Sequence, residues 1–131
     1  MSIEPIQSPP KLRGWFHLAA TPVVIIASLV LFILSGESLK WAVALYSITA
    51  IMLFSVSAIY HRVPWSPAKK KIWRRWDHAN INLLIAGSYT PFAVALLDGR
   101  DRVTLLVVVW IGALAGVALR VFWVGAPRWL Y

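Results

Sequence analysis
The chain alternates long uncharged apolar stretches with short polar breaks, and that rhythm predicts its elements. Leu18–Ser35 is the first stretch. It is rich in Val, Ile and Leu and long enough to cross a hydrocarbon layer that takes about 20 helical residues. Pro22 lies near its start, where a helix loses little to proline. Gly36-Glu37-Ser38 predicts a short turn, and Lys40 with Trp41 marks the next membrane boundary. Trp41–Tyr60 is the second stretch, uncharged but carrying Ser47, Thr49, Ser55 and Ser57. Ala79–Leu97 is the third, broken by Gly87 and Pro91, and Val103–Val124 is the fourth, after the charge-balanced turn Asp98-Gly99-Arg100-Asp101-Arg102. Gly112 and Gly116 stand at GxxxG spacing, which allows close helix approach and predicts self-association through this face. The pattern predicts an all-α fold: a polytopic transmembrane bundle forming a single membrane domain over residues 1–131.

The segments between the spans carry their own signals. Met1–Pro10 is polar and Pro-rich, without the apolar run of a cleavable signal peptide. Lys11 and Arg13 then precede Trp15, Phe16 and His17, a basic and aromatic approach to a membrane surface. Residues 62–76 form a basic connection. Ser66-Pro67 predicts a helix start, an N-cap followed by proline at the first helical position. Lys69, Lys70, Lys71, Arg74 and Arg75 follow, interleaved with Ile72, Trp73 and Trp76, as in a segment lying in the headgroup layer. A solvated basic loop is the competing reading. Arg120, near the end of the fourth span, can snorkel to the surface. The last residues are Pro127-Arg128-Trp129-Leu130-Tyr131.

Composition agrees with the pattern: 60% of residues are apolar and 14% charged, against roughly 45–50% and about 25% in soluble domains. The net charge of +8 would suggest nucleic acid, but the cations flank apolar spans and leave no soluble basic face, so nucleic acid is excluded as a partner and membrane lipids are expected. There is no cysteine, hence no disulfide or thiolate site. Lys11, Arg13, Arg62, Lys69, Lys70, Lys71, Arg74 and Arg75 fall on one side of the predicted topology, and Lys40, Arg100 and Arg102 on the other. The positive-inside rule then predicts a cytoplasmic N-terminus.

Ionisable groups at membrane depth are expensive and suggest a site. Ser57 and His61 are four residues apart, on one face of the second helix, and Ser47 projects within about 40° of His61. Asp77 opens the third span, with Asn80, Leu84, Ser88 and Pro91 continuing its face. Antiparallel packing of these helices brings His61 and Asp77 to one depth, where an imidazole could ligate a metal and a carboxylate orient it or the water bound there. Blander readings stand beside this one: His61 as an interfacial polar residue, Asp77 as an N-cap, and Ser57 bonded to its own helix backbone. His17 and His78 carry weaker claims, since His78 points about 100° away from Asp77.

The motifs themselves bear a family likeness. Lys11-Leu12-Arg13-Gly14-Trp15-Phe16-His17, Ser57-Ala58-Ile59-Tyr60-His61-Arg62, and Asp77-His78-Ala79-Asn80-Ile81 followed by Ile85-Ala86-Gly87-Ser88-Tyr89-Thr90-Pro91-Phe92 resemble, in order, the opening motif, the SxxxH motif and the DHxxI…IAGxYTPF signature of the hemolysin III family. That family is the bacterial branch of the progestin and adipoQ receptor (PAQR) membrane proteins. The resemblance implies seven transmembrane helices, a cytoplasmic N-terminus in the cell membrane, and kinship with proposed zinc-dependent membrane hydrolases of lipid-like amides or esters. Carried over, His61 would be a zinc ligand, Asp77 the carboxylate that orients the metal's water, and Ser57 a polar neighbour of that water or the substrate.

The chain departs from the pattern in one respect: its histidines are His17, His61 and His78, and the HxxxH that supplies two zinc ligands in the family's last helix is missing. The resemblance therefore implies an N-terminal fragment of four helices, truncated before the fifth, with an incomplete zinc site and no activity of its own. Two functions compete. One is membrane lipid homeostasis, with hydrolysis as its chemistry; the other is a non-enzymatic haemolysin, pore-forming or receptor-like protein.

Overall fold
The computed structural model describes residues 11–123. The predicted polar opening Met1–Pro10, the end of the fourth span at Val124 and the Pro127–Tyr131 segment lie outside the described residues. Four α-helices make up the rest: α1 Lys11–Leu34, α2 Lys40–Arg62, α3 Pro67–Leu96 and α4 Gly99–Phe122, with a 3-10 turn at Glu37–Leu39. All four are long and apolar enough to cross a membrane. The protein is thus an all-α, multi-pass membrane protein, as its periodicity predicts. The bilayer core offers no hydrogen-bonding partner, so each spanning segment closes its backbone bonds within itself as helix.

Two boundaries differ from the sequence reading. α1 begins at Lys11, so the aromatic approach is helical and Pro22 lies well inside the helix rather than near its start. α3 is continuous over 30 residues, about 45 Å of helix. The basic connection is therefore not a separate headgroup helix; its residues from Pro67 onward are the first turns of α3 itself. Gly87 and Pro91 do not break it either. Pro91 has no backbone N–H to offer the Gly87 carbonyl four residues back, and Thr90 Oγ1 donates 2.8 Å to the neighbouring Ala86 carbonyl. The predicted start at Ser66-Pro67 does hold: the Ser66 hydroxyl accepts a bond from the Lys69 amide at 3.4 Å.

Among the described residues, each α-helix packs against the α-helices next to it in sequence, α1 on α2, α2 on α3 and α3 on α4, and the 3-10 turn also touches α3. Small residues set the spacing. A Cβ on Gly14 would lie 3.1 Å from His61 Cβ, one on Gly87 would strike the Thr49 side chain, and one on Gly116 would lie 2.8 Å from the Asn82 carboxamide. Gly116 is therefore engaged inside the chain, on α3, whereas a Cβ on Gly112 would meet nothing within 4 Å. The buried core is correspondingly small-residue: Ala42, Ala50, Ala58, Ala79, Ala86, Ala93 and Ala113, with Val43 and Val94. α2 and α3 hold the centre, and α1 and α4 turn Ile25, Ile26, Leu29, Ile33, Val107, Val108 and Ile111 outward, as lipid-facing surfaces do.

Candidate functional site
The close contacts fix the register, and the register decides which polar groups share a level. His17 meets Ser57 across α1 and α2. Gly87 meets Thr49 across α2 and α3. His78 meets Arg120, and Asn82 meets Gly116, across α3 and α4. Counting along antiparallel helices from Thr49 and Gly87 puts Asp77 opposite Ile59, two residues, or about 3 Å of helix, from the level of His61. His78 and Arg120 then fall beside Ala58. His17, Ser57, His61, Asp77, His78 and Arg120 thus occupy one layer about a single helical turn thick, drawn from all four helices, at the end of the bundle where α2 stops.

The α1 side of this layer is built in detail. Ser57 is 3% exposed, and its Oγ lies 2.5 Å from His17 Nδ1 in a hydrogen bond. The hydroxyl donates when His17 carries its proton on Nε2. Ser57 is therefore bonded across the helix interface, which excludes the bland reading of a hydroxyl turned back on its own backbone. The His17 ring meets Phe54 edge-on at 5.5 Å and His61 at 6.3 Å between centroids, and Tyr60 lies 4.7 Å from His61. Gly14, one turn before His17, lets α1 close on His61 and Arg62, and the Arg62 guanidinium sits 3.9 Å above the Trp15 ring. That cation–π contact lies at the exposed outer edge of the site.

The α3–α4 side is held by Arg120, whose guanidinium lies 3.4 Å from His78 Nδ1, and deeper by Trp110 Nε1 donating 3.0 Å to Thr90 Oγ1. A cation at this depth needs a partner, and a neutral His78 ring nitrogen provides an acceptor. Asp77 is half-buried at the same level.

Of the residues singled out from sequence, Ser57, His61 and Asp77 share the layer, and Ser57 and His61 flank His17. His17 and His78, which carry weaker claims from sequence, lie in the same layer through their contacts with Ser57 and Arg120. The signal for His17 was its place in the Gly-Trp-Phe-His run, but its partner lies 40 positions away and only packing reveals it. A zinc ion takes three or four protein ligands. Among the described residues no three His, Asp or Glu side chains converge closely enough to hold a metal, so this donor set does not by itself fit zinc.

Fold and layer together define a class, the multi-pass helical membrane proteins with imidazoles, a serine and a carboxylate gathered at one end of the bundle. The haemolysin-III-related family model matches residues 7–131, and the chain belongs to that family. It is 35% identical over 83 residues to Hemolysin-3 of Bacillus cereus, and 36% identical over 80 residues to a Hemolysin-3 homolog of Bacillus subtilis (strain 168). These alignments cover 63% and 61% of this chain but only 37% of each relative, so the chain spans well under half their length. No solved structure matches it.

Proposed function
We propose that the protein serves membrane lipid homeostasis from the cell membrane, with hydrolysis of lipid-like amides or esters as its chemistry and its polar layer on the cytoplasmic side. The observation that supports this reading is the layer itself: a serine, a carboxylate and imidazoles brought to one level at membrane depth, where a lipid's amide or ester linkage lies. In this reading Ser57, held by His17, offers a hydrogen bond to the substrate carbonyl, and Asp77 accepts a proton. His61 is one ligand of a zinc centre of the kind found in PAQR-type hydrolases, and further donors must come from outside residues 11–123 or from a second copy. The cytoplasmic placement rests on the cations that crowd this end.

The name of the relatives, hemolysin, points to lysis as a second reading. Against a pore stands the confinement of the charged groups of the described residues to the two ends of the spans, while α1 and α4 present apolar faces along their length. Zinc content, lipid turnover and liposome leakage separate the two. The hydrolytic reading expects a membrane lipid amide or ester to accumulate in cells carrying His61→Ala or Asp77→Ala in the longest natural form of the protein, with stoichiometric zinc lost in the His61 variant. Metal-independent leakage from dye-loaded liposomes, unchanged by either substitution, overturns it in favour of the pore.

A further inference from the structure
On the other side of α2, away from His17, a groove of about 310 Å³ opens between α2 and α3. Its lining is Met52, Val56, Ile72, Trp73, Trp76 and Asn80. Five of these are apolar or aromatic, and Met52, Ile72 and Trp76 face partly outward. Asn80 is different. It is 1% exposed, and neither its carboxamide nitrogen nor its oxygen has a hydrogen-bond partner in the protein. A buried amide left unpaired is costly, and in a hydrocarbon surround no bulk water is at hand to satisfy it. An unpaired donor and acceptor at the base of an apolar groove mark a place for a ligand that is mostly hydrocarbon with one polar linkage.

The surroundings narrow the choice. Trp73 is stacked on Trp65 at 4.9 Å, and Trp76 stands one turn above Asn80. Tryptophans of this kind mark the level just inside the headgroups, where the acyl ester linkages of a phospholipid lie. Lys69 shares the helix face of Trp73 and Trp76 by its i+4 and i+7 spacing. It belongs to an exposed cationic run with Lys70, Lys71 and Arg74, which favours an anionic headgroup. The volume suits a segment of acyl chain and not a helix, which is about 10 Å across.

We propose that this groove is a binding site for a diacyl anionic phospholipid, one acyl chain lying along Met52 and Val56 and its ester carbonyl accepting a hydrogen bond from Asn80 Nδ2. The phosphate then points toward the basic first turns of α3. The site opens beside the polar layer, on the α2–α3 side of the bundle, and does not depend on hydrolysis.

Native mass spectrometry of the chain tests this, after exchange into mixed micelles of detergent with equal amounts of diacyl and dialkyl-ether phosphatidylglycerol. The two lipids differ only in the ester carbonyls. The wild-type chain is expected to retain the diacyl lipid about five-fold over the ether lipid, the worth of one hydrogen bond. Asn80→Leu is expected to retain both equally. Val56→Trp, which fills the groove while keeping the Asn80 carboxamide, is expected to lose the retained lipid at unchanged helix content by circular dichroism. Equal retention of the two lipids by the wild-type chain overturns the proposal, as does an ester preference that survives either substitution. A second copy of the chain retained in place of lipid overturns it as well.

Discussion

Gly87 and Thr49 show how much a single side chain decides in a bundle whose core is mostly alanine. A methyl group on Gly87 would press on the Thr49 hydroxyl and come within 3.1 Å of its other side-chain atoms. Gly87→Ala is therefore expected to destabilise the α2–α3 pair by about 1–3 kcal/mol, the usual cost of overpacking, read from detergent-induced unfolding. Thr49→Ala in the same chain removes two of the three offending atoms and should restore most of the loss. Gly112→Ala is the control, since a Cβ there meets nothing within 4 Å, and its effect is expected within about 0.5 kcal/mol. Gly116→Ala falls between, because the Asn82 carboxamide it strikes can swing aside. At this scale Gly14 matters most for the geometry of the polar layer, as it admits α1 close enough for His17 to reach Ser57.

The ends of the elements explain charges that composition leaves odd. Lys40 and Arg102 stand at the end of the bundle poor in cations, yet each is tied to the carbonyls that finish the preceding helix. Lys40 Nζ donates to Phe32 O at 2.8 Å and Ser35 O at 3.0 Å. Arg102 donates to Leu97 O and Val94 O, both at 2.8 Å, and pairs with Asp98 at 3.3 Å. A helix leaves its last four carbonyls without intrahelical donors, and a cation there also opposes the negative end of the helix dipole. Lys40→Met and Arg102→Met are each expected to lower stability by about 1 kcal/mol in the same unfolding assay. Arg100→Met, which removes no such contact, should leave it unchanged. The tie between α3 and α4 is equally local: Thr90→Val removes the acceptor of Trp110, and about 0.5–1.5 kcal/mol is expected to go with it.

At the scale of the whole molecule the cations predict an orientation, and the absence of cysteine makes that testable by single introduced thiols. With the His61 end in the cytoplasm, Ser38→Cys and Arg100→Cys should react with a membrane-impermeant maleimide in intact cells, while Ser66→Cys reacts only after permeabilisation. The reverse pattern inverts the topology and moves the polar layer to the other face of the membrane. The number of spans, their helical nature, the capped start at Ser66-Pro67 and the side on which the cations gather were all legible from residue order, because a bilayer forces every spanning segment to satisfy its backbone locally and so writes its demand into composition. That α3 runs unbroken from its basic turns through Pro91 was not legible, since a neighbouring helix decides whether a proline ends a span or rides within it. Nor was the bond between His17 and Ser57, the engagement of Gly116 by Asn82, or the alignment of six ionisable or hydroxyl groups in one layer. Those depend on how far each helix slides and turns against the next. In lipid that register comes from the close fit of small side chains rather than from a stripe of hydrophobic residues, so it is decided only when the helices meet.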